Sequence, residues 1–408
     1  MIKNRKWLWL AAAFLSTLPA LILRLGGIEV SPLLQSAISG LGILGAAFLL
    51  AWAAEVAEMD ISQALALALL ALIAVLPEYS VDLYFAWTAA YKPDHIAYAT
   101  ANMTGGNRLL IGVGWSLVVF LFWFKTRHRI LHLEPSHRTE LLFLTLATLY
   151  SFTIPFKGYI AIWDAAVLVG LFVLYLWAAS KAEHEEPELV GPALAVAALP
   201  VAWRRLVTLF LFLFAGAVIL ASAEPFAEGL VATGKAFGIS EFLLVQWVAP
   251  LASEAPEVVV VILFTLKGHA AAGMGTLISS KVNQWTLLVG TLPIVYSISL
   301  GRLSGLPLDG RQMEELFLTS AQSAFAVAVL ASLSISVREA LLLFLLFSAQ
   351  LLIPVPAVRY AFAGLYLFLA ALVLVRDKSS RAGLVSLASY GWGLLGRSAG
   401  KGVEGQAK

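Results

Sequence analysis

LPEYSVD at residues 76–82 and APEVVVV at residues 255–261 are the two stretches that decide how this sequence folds. Each places a proline and a glutamate inside a long apolar run, and the two glutamates, Glu78 and Glu257, lie 179 positions apart. Acidic side chains in apolar runs are rare, because burying a charge without a partner is costly. The repeated Pro-Glu pair therefore indicates a chain built from two related halves.

The composition around these stretches is typical of an integral membrane protein. Of the 408 residues, 60% are hydrophobic and 13% are charged, against roughly 25% charged in a soluble domain. A membrane-spanning helix needs about 20 mostly apolar residues. The long apolar runs predict an all-α polytopic membrane protein of about 12 transmembrane helices, near residues 7–24, 33–54, 62–90, 96–124, 139–155, 159–180, 205–232, 241–266, 271–300, 313–333, 337–353 and 357–375.

Net charge and cysteine content exclude several classes of function. The 27 basic and 25 acidic residues leave a net charge of +2, which provides no field to attract nucleic acid. The chain has no cysteine, which excludes disulfides, thiolate metal sites and cysteine nucleophiles. Because no Ser/His or paired-Asp pattern has catalytic spacing, we expect no enzyme activity and no resident cofactor.

A second internal match extends the first. LHLEPSHRTELLFLT (131–145) is similar to LPLDGRQMEELFLT (306–319), with a shift of 174 residues between the aligned glutamates. Five predicted helices separate the two Pro-Glu pairs, and an odd separation makes the two repeats inverted in the membrane. The expected organisation is an extra N-terminal helix, a first five-helix repeat, a linker, a second five-helix repeat, an extra C-terminal helix and a tail, at residues 1–32, 33–180, 181–204, 205–353, 354–376 and 377–408.

The basic residues predict the orientation. The loops on the side of the N-terminus contain 18 Lys and Arg residues, against seven on the other side, so both termini are expected in the cytoplasm and the protein in the cell (inner) membrane. The first apolar segment, at residues 7–23 after the basic MIKNRK, is also compatible with a signal peptide. No small-x-small cleavage site follows it, and we expect a retained helix. The lipid bilayer is one expected partner, and the sequence indicates nothing about oligomers.

Polar side chains near the Pro-Glu pairs form the candidate site. Asp82 lies one turn after Glu78, and Glu254 lies one turn before Glu257, so each helix presents two acids on one face. Each proline also frees a backbone carbonyl, and oxygen ligands of this kind suit Na⁺, Ca²⁺ and Mg²⁺. The helices that follow contribute neutral candidate ligands, namely Asn102, Asn107, Ser280 and Gln284.

The alternative interpretation of this constellation is structural. The two prolines would then only kink their helices, and Arg108 and Lys281 would neutralise the acids as interhelix pairs. Lys281 and Glu254 both belong to the second half, and we consider the hypothesis that they form one such buried pair. The occurrence of Pro-Glu at equivalent positions of both halves favours a functional site.

With these residues on both halves, the sequence resembles the cation/Ca²⁺ exchanger superfamily, in particular the membrane region of sodium/calcium exchangers. In the second half, ASEAPE (252–257) retains the family's Ser253 beside the Pro-Glu pair, and SSKVNQ (279–284) retains Ser280. Gln284 stands where the family has a coordinating carboxylate or amide. The resemblance implies two inverted five-helix repeats over residues 33–353 and adds Ser253 to the expected ligands.

The first half departs further from the family pattern. IAVLPE (73–78) retains only the Pro-Glu pair, and GGNRLL (105–110) has Leu110 at the coordinating amide position. Both halves also place a base in the second helix, Arg108 and Lys281. The family's usual ion stoichiometry therefore does not carry over to this chain.

The expected function is secondary active cation antiport. The resemblance implies exchange of Ca²⁺, or another metal cation, for Na⁺ by alternating access, with carboxylates of both halves holding the ions in turn. One alternative is a proton-coupled cation exchanger, favoured by the missing hydroxyls of the first half. Another is a non-transporting membrane scaffold on a decayed exchanger fold.

Overall fold

The structure, a computed structural model, describes residues 2–60, 75–181, 189–352 and 355–404. Long helices dominate the first half of the chain, and α4 continues into α5 through one π-helical segment, Leu110–Trp115. The elements of this half are α1 (Ile2–Gly26), α2 (Pro32–Ala57), α3 (Leu76–Thr88), α4 (His95–Leu109), α5 (Ser116–Thr126), β1 (Ile130–His132), α6 (Arg138–Ser151), α7 (Thr153–Lys157), β2 (Tyr159–Ile160) and α8 (Ile162–Ala179).

The second half also contains long helices and a π-helical segment, Gln284–Leu288, between α12 and α13. Its elements are α9 (Ala193–Ala197), α10 (Val201–Phe237), α11 (Glu241–Lys267), α12 (Ala270–Asn283), α13 (Val289–Leu300), β3 (Leu306–Pro307), α14 (Gly310–Leu330), β4 (Ser334–Ser336), α15 (Val337–Leu352), α16 (Pro356–Arg376) and α17 (Lys378–Glu404). The π segments begin at residues 110 and 284, which differ by the same 174 residues as the internal match.

The predicted class of an all-α polytopic membrane protein is confirmed. Each predicted span overlaps a helix, and nine helical stretches among the described residues are long and apolar enough to cross a membrane. Residues 61–74, which include the start of the third predicted span, lie outside the described part, as do residues 182–188 of the predicted linker. The count of twelve spans, the division into segments and the inversion remain predictions.

The predicted tail differs from the structure in one respect. Residues 378–404 form the helix α17, which packs against α16, α6 and α14. Its mean hydropathy is low, and scanning for apolar runs does not detect helices of this kind. The predicted tail therefore contains a helix that its composition does not reveal.

Close helix packing sets the position of the polar residues. α2 packs along α10, and α4 packs against α11. The approach of α4 to α11 depends on Gly105, since a Cβ atom there would collide with the backbone carbonyl of Gln246. The absence of a side chain at this position lets the two polar helices meet.

Two short antiparallel strand pairs connect the halves. β1 pairs with β4, in the register Ile130 to Ser336, and β2 pairs with β3, in the register Tyr159 to Pro307. A shift of 175 residues along the sequence places β1 on β3 and β2 on β4. The pair β1–β4 therefore corresponds to the pair β3–β2. This exchange is the arrangement expected if a two-fold axis relates the two halves.

An ion pair joins the end of α2 to the start of α10. Arg204 donates two hydrogen bonds of 2.8 Å to the carboxylate of Asp60, and Arg205 donates a third of 3.0 Å. Mainly through the hydrogen bonds from Arg204, the pKa of Asp60 is lowered to about 2. The stabilisation is therefore fully present above the ordinary aspartate pKa of about 4 and is lost as the pH falls towards 2.

Replacing Asp60 with Asn is expected to lower the free energy of unfolding at pH 7 by about 0.5–1 kcal/mol. The effect is small because the Arg205 side chain is largely exposed, and solvent weakens its interaction with Asp60. The difference in thermal unfolding midpoint between the parent and the variant should narrow between pH 4 and pH 3. A difference that stays constant over this range would contradict the assigned ion pair.

Candidate functional site

A small polar cavity lies where α3, α4, α11 and the second π segment meet. Its volume is about 10 Å³, close to the minimum that holds one water-sized particle. The described residues that line it are Glu78, Asp82, Asn102, Met103, Gly106, Pro250, Ser253, Glu254, Gln284 and Leu288. Six of the nine predicted ligands are thus brought together, from both halves of the chain.

Two buried carboxyl groups from opposite halves meet at the centre of the cavity. Glu78 is 4% exposed and Glu254 is 1% exposed, and both side chains line the same cavity of about 10 Å³. Gln284 donates an amide hydrogen bond to Glu254 Oε1. Two carboxylates in contact repel strongly in a medium of low dielectric constant, so a proton or a cation must lie between them.

Asp82 extends the polar surface along α3. Asn102 Nδ2 donates a hydrogen bond of 2.9 Å to Asp82 Oδ1, while Asp82 Oδ2 is buried without a hydrogen-bond partner among the described residues. One oxygen of Glu78 and one of Glu254 are also buried without a hydrogen-bond partner in that part of the chain. These acceptors leave capacity for cation ligation from three carboxyl groups.

Local helix geometry explains how these side chains converge. Each π segment adds one residue to a helical turn and changes the direction in which the neighbouring side chains point, and such segments are frequent at functional sites. Gln284 is the first residue of the second π segment. Gly106 faces Glu254, because a Cβ atom at this glycine would lie 3.3 Å from Glu254 Oε1.

The structure places the other three predicted ligands outside the cavity lining. Glu257 is one turn beyond Glu254 and interacts electrostatically with Glu78, and one of its oxygens is buried without a partner in the described part of the chain. Ser280 is partly buried on α12. Asn107 instead accepts a hydrogen bond of 2.7 Å from Lys281 Nζ through its side-chain oxygen.

The two bases have different partners from those expected. Arg108 Nη2 lies 2.5 Å from Glu315 Oε2, on the side of α4 that faces α14, and its guanidinium also lies 5.1 Å from the centre of the Trp247 ring. Within the described residues, no carboxylate oxygen lies within 4.0 Å of Lys281 Nζ. Neither base therefore forms a direct ion pair with a carboxylate of the cavity, and the hypothesis of a Lys281–Glu254 contact pair is not supported.

Sequence reasoning missed two contributors near the cavity. Tyr79 donates a hydrogen bond of 2.8 Å to Asn283 Oδ1, which connects α3 to α12 across the two halves. Glu315 supplies the partner of Arg108, and Glu315 lies in the quoted stretch 306–319. An internal match reveals equivalent positions but not contacts between different helices, so the sequence had no signal for either interaction.

The cavity suits a cation only with mixed ligands. Among the residues that the structure describes, no three Asp, Glu or His side chains are grouped closely enough to hold a metal ion by themselves. A cation bound between Glu78 and Glu254 would take further oxygens from Asp82, the Asn102 and Gln284 amides and the Ser253 hydroxyl. The arrangement can thus bind a partly dehydrated cation, or protons in its place.

Known families and solved structures are similar to the chain over most of its length. The profile of the family described as sodium/calcium exchanger protein matches residues 31–181 and 207–355. The crystal structure of the H⁺/Ca²⁺ exchanger CAX is 48% identical, covers 95% of this chain and 98% of its own, and superposes with a TM-score of 0.91. The Ca²⁺/H⁺ antiporter protein YfkE, 16% identical, covers 85% of this chain and 98% of its own, with a TM-score of 0.60. No curated protein matches the chain.

Proposed function

The chain belongs to the sodium/calcium exchanger protein family and is a cation antiporter, and on this premise we propose that it exchanges Ca²⁺ for H⁺ at the cavity between Glu78 and Glu254. The observation that carries the proposal is that these two buried carboxyl groups, one from each half, line the same small cavity. Such a pair holds either a divalent cation or protons, and competition between them makes the exchange obligatory.

Two further observations favour H⁺ over Na⁺ as the counter-ion. The solved structure that is 48% identical to this chain is that of an H⁺/Ca²⁺ exchanger. A proton shared by Glu78 and Glu254 removes the repulsion between their carboxylates without needing further space. Na⁺ instead requires a shell of several oxygen ligands, in a cavity of only about 10 Å³. Na⁺ remains the competing counter-ion, because the matched family is named for it.

The proposed ligand set follows from the cavity. Glu78, Glu254 and Asp82 supply charge, while Asn102, Ser253 and Gln284 supply neutral oxygens. Glu257, whose charge interacts with that of Glu78, is a further candidate ligand of the bound ion. We also propose that the protein lies in the cell membrane with both termini in the cytoplasm, with the two repeats at residues 33–180 and 205–353.

Flux measurements in proteoliposomes test the counter-ion. A pH gradient with the acidic side inside should drive uptake of Ca²⁺, detected by a trapped Ca²⁺-sensitive dye, and a protonophore with valinomycin should abolish it. An outward Na⁺ gradient at equal pH on both sides should drive no uptake. Na⁺-driven uptake that is insensitive to the pH gradient would replace H⁺ with Na⁺ in the proposal.

A further inference from the structure

Lys281 is a fully buried base beside the transport cavity. Its side chain is 0% exposed, and its Nζ donates hydrogen bonds of 2.7 Å to Asn107 Oδ1 and 3.3 Å to the Asn107 carbonyl. The ammonium also lies 4.5 Å from the centre of the Trp285 ring. Two oxygen acceptors and an aromatic face are the surroundings that stabilise a charged ammonium group.

The position of Lys281 connects it to the ion site. The shift of 174 residues aligns Lys281 with Asn107, so equivalent residues of the two halves contact each other where the halves meet. The charge of Lys281 interacts with that of Glu254, although the two side chains do not form an ion pair. Arg108, by contrast, is matched by Glu315 at 2.5 Å.

We propose that Lys281 is a fixed counter-charge of the transport site, which lowers by one the number of mobile positive charges that the site carries. This inference rests on the proposed function, because it concerns the ions exchanged at the same cavity. It assigns to Lys281 a role in stoichiometry rather than in ligation, since an ammonium group has no lone pair to offer a metal.

The physical reason is the cost of net charge inside a membrane. The protein changes readily between the states open to the two sides of the membrane only when the buried charges of its ion site are nearly balanced. The carboxylates of the cavity provide the negative charge, Lys281 cancels one unit of it, and mobile cations must cancel the remainder. Without Lys281, the form that carries monovalent cations needs one more of these cations to reach the same charge balance.

The Ca²⁺-loaded form is not expected to take up a compensating metal ion. The cavity of about 10 Å³ has room for one ion. Removing the base therefore leaves the Ca²⁺-loaded form with one unbalanced negative charge, which should slow the Ca²⁺ step. In the return step each Ca²⁺ is exchanged for one additional monovalent cation. The exchange would then move one more net charge per cycle than in the parent.

The reversal gradient of Ca²⁺ flux measures this charge directly. Parent and Lys281→Met proteoliposomes are clamped at 0 and 100 mV with K⁺ and valinomycin, and the Ca²⁺ gradient at which net flux stops is determined at a fixed pH gradient. One extra charge shifts this gradient by about 50-fold per 100 mV. We expect the voltage dependence of the variant to differ from the parent by this amount.

Three variants control the interpretation. Lys281→Arg keeps the charge and should retain the parental voltage dependence. Lys281→Met combined with Asp82→Asn removes one positive and one negative charge and should return to the parental value. Lys281→Gln keeps an amide donor for Asn107 but not the charge, so it should behave as Lys281→Met does and replaces it if that variant does not fold.

A voltage dependence of Lys281→Met or Lys281→Gln equal to that of the parent would overturn the proposal, as would a Lys281→Arg variant that differs from the parent. The measurement works with either counter-ion. If the parent proves to be driven by Na⁺, the reversal gradient is determined at a fixed Na⁺ gradient, so failure of the proposed counter-ion and failure of the fixed charge are distinguished.

Discussion

Replacing Glu78 with Gln is expected to reduce Ca²⁺ transport by at least about 100-fold. Glu78 is 4% exposed, lines the cavity and interacts with Glu254 and Glu257 of α11. Gln preserves the size of the side chain but removes a charge that offsets dehydration of the ion, and an uncompensated buried charge costs about 3 kcal/mol or more. Initial rates of Ca²⁺ uptake into proteoliposomes, normalised to the amount of folded protein, provide the measurement.

Glu224 offers a matched control for this substitution. It lies on the membrane helix α10, but its side chain is 48% exposed and pairs with Arg24 at 2.5 Å, away from the cavity. Glu224→Gln should therefore retain most of the parental rate. Transport by Glu78→Gln at the parental rate would remove the cavity as the transport site and favour the interpretation of Pro77 as a simple helix kink.

The acids of α11 provide a sharper comparison. Glu254 lines the cavity and contacts Glu78 and Gln284, whereas Glu257 occupies the position that the internal match pairs with Glu78. If the observed cavity is where the ion binds, Glu254→Gln should reduce transport at least as much as Glu257→Gln does. The reverse order would make Glu257 the principal ligand of the second half.

Replacing Arg108 with Met is expected to destabilise the protein by about 3–5 kcal/mol. Arg108 and Glu315 are 3% and 2% exposed and lie 2.5 Å apart, and Arg359 Nε contacts the same carboxylate at 3.0 Å. Arg359 also contacts Glu314 at 3.1 Å, so two bases contact these two acids among the residues that the structure describes. Without Arg108 the cluster retains one unbalanced buried negative charge.

The thermal unfolding midpoint in detergent tests this expectation. Arg108→Met should lower it clearly, and the double variant Arg108→Met with Glu315→Gln should recover a substantial part of the loss, since it restores the charge balance. A double variant less stable than Arg108→Met would show that the carboxylate of Glu315 is still needed by Arg359.

The sequence predicted the membrane class and much of the cavity because both depend on local properties. Apolar length determines the spans, and Pro-Glu with a second acid one turn away determines which face of α3 or α11 is polar. The predicted Glu78, Asp82, Glu254, Asn102, Ser253 and Gln284 all line the cavity.

The features that the sequence did not predict depend on contacts between distant elements. Asn107 was expected among the ligands but accepts a hydrogen bond from Lys281, since the two residues approach only when both halves have packed. The π segments, which begin at Leu110 and Gln284, also have no composition signal. Their position reflects helix packing around the cavity rather than local propensity.

The strand pairs have a consequence for the biosynthesis of the protein. In the part of the chain that the structure describes, β1 pairs with β4, about 200 residues later, and β2 pairs with the later strand β3. Helices of the first half can insert one by one as they leave the ribosome, because their backbone hydrogen bonds are internal. The strand edges of that half, however, stay open until translation has passed Ser336, so a chain that stalls earlier exposes pairing edges that another unfinished chain can occupy.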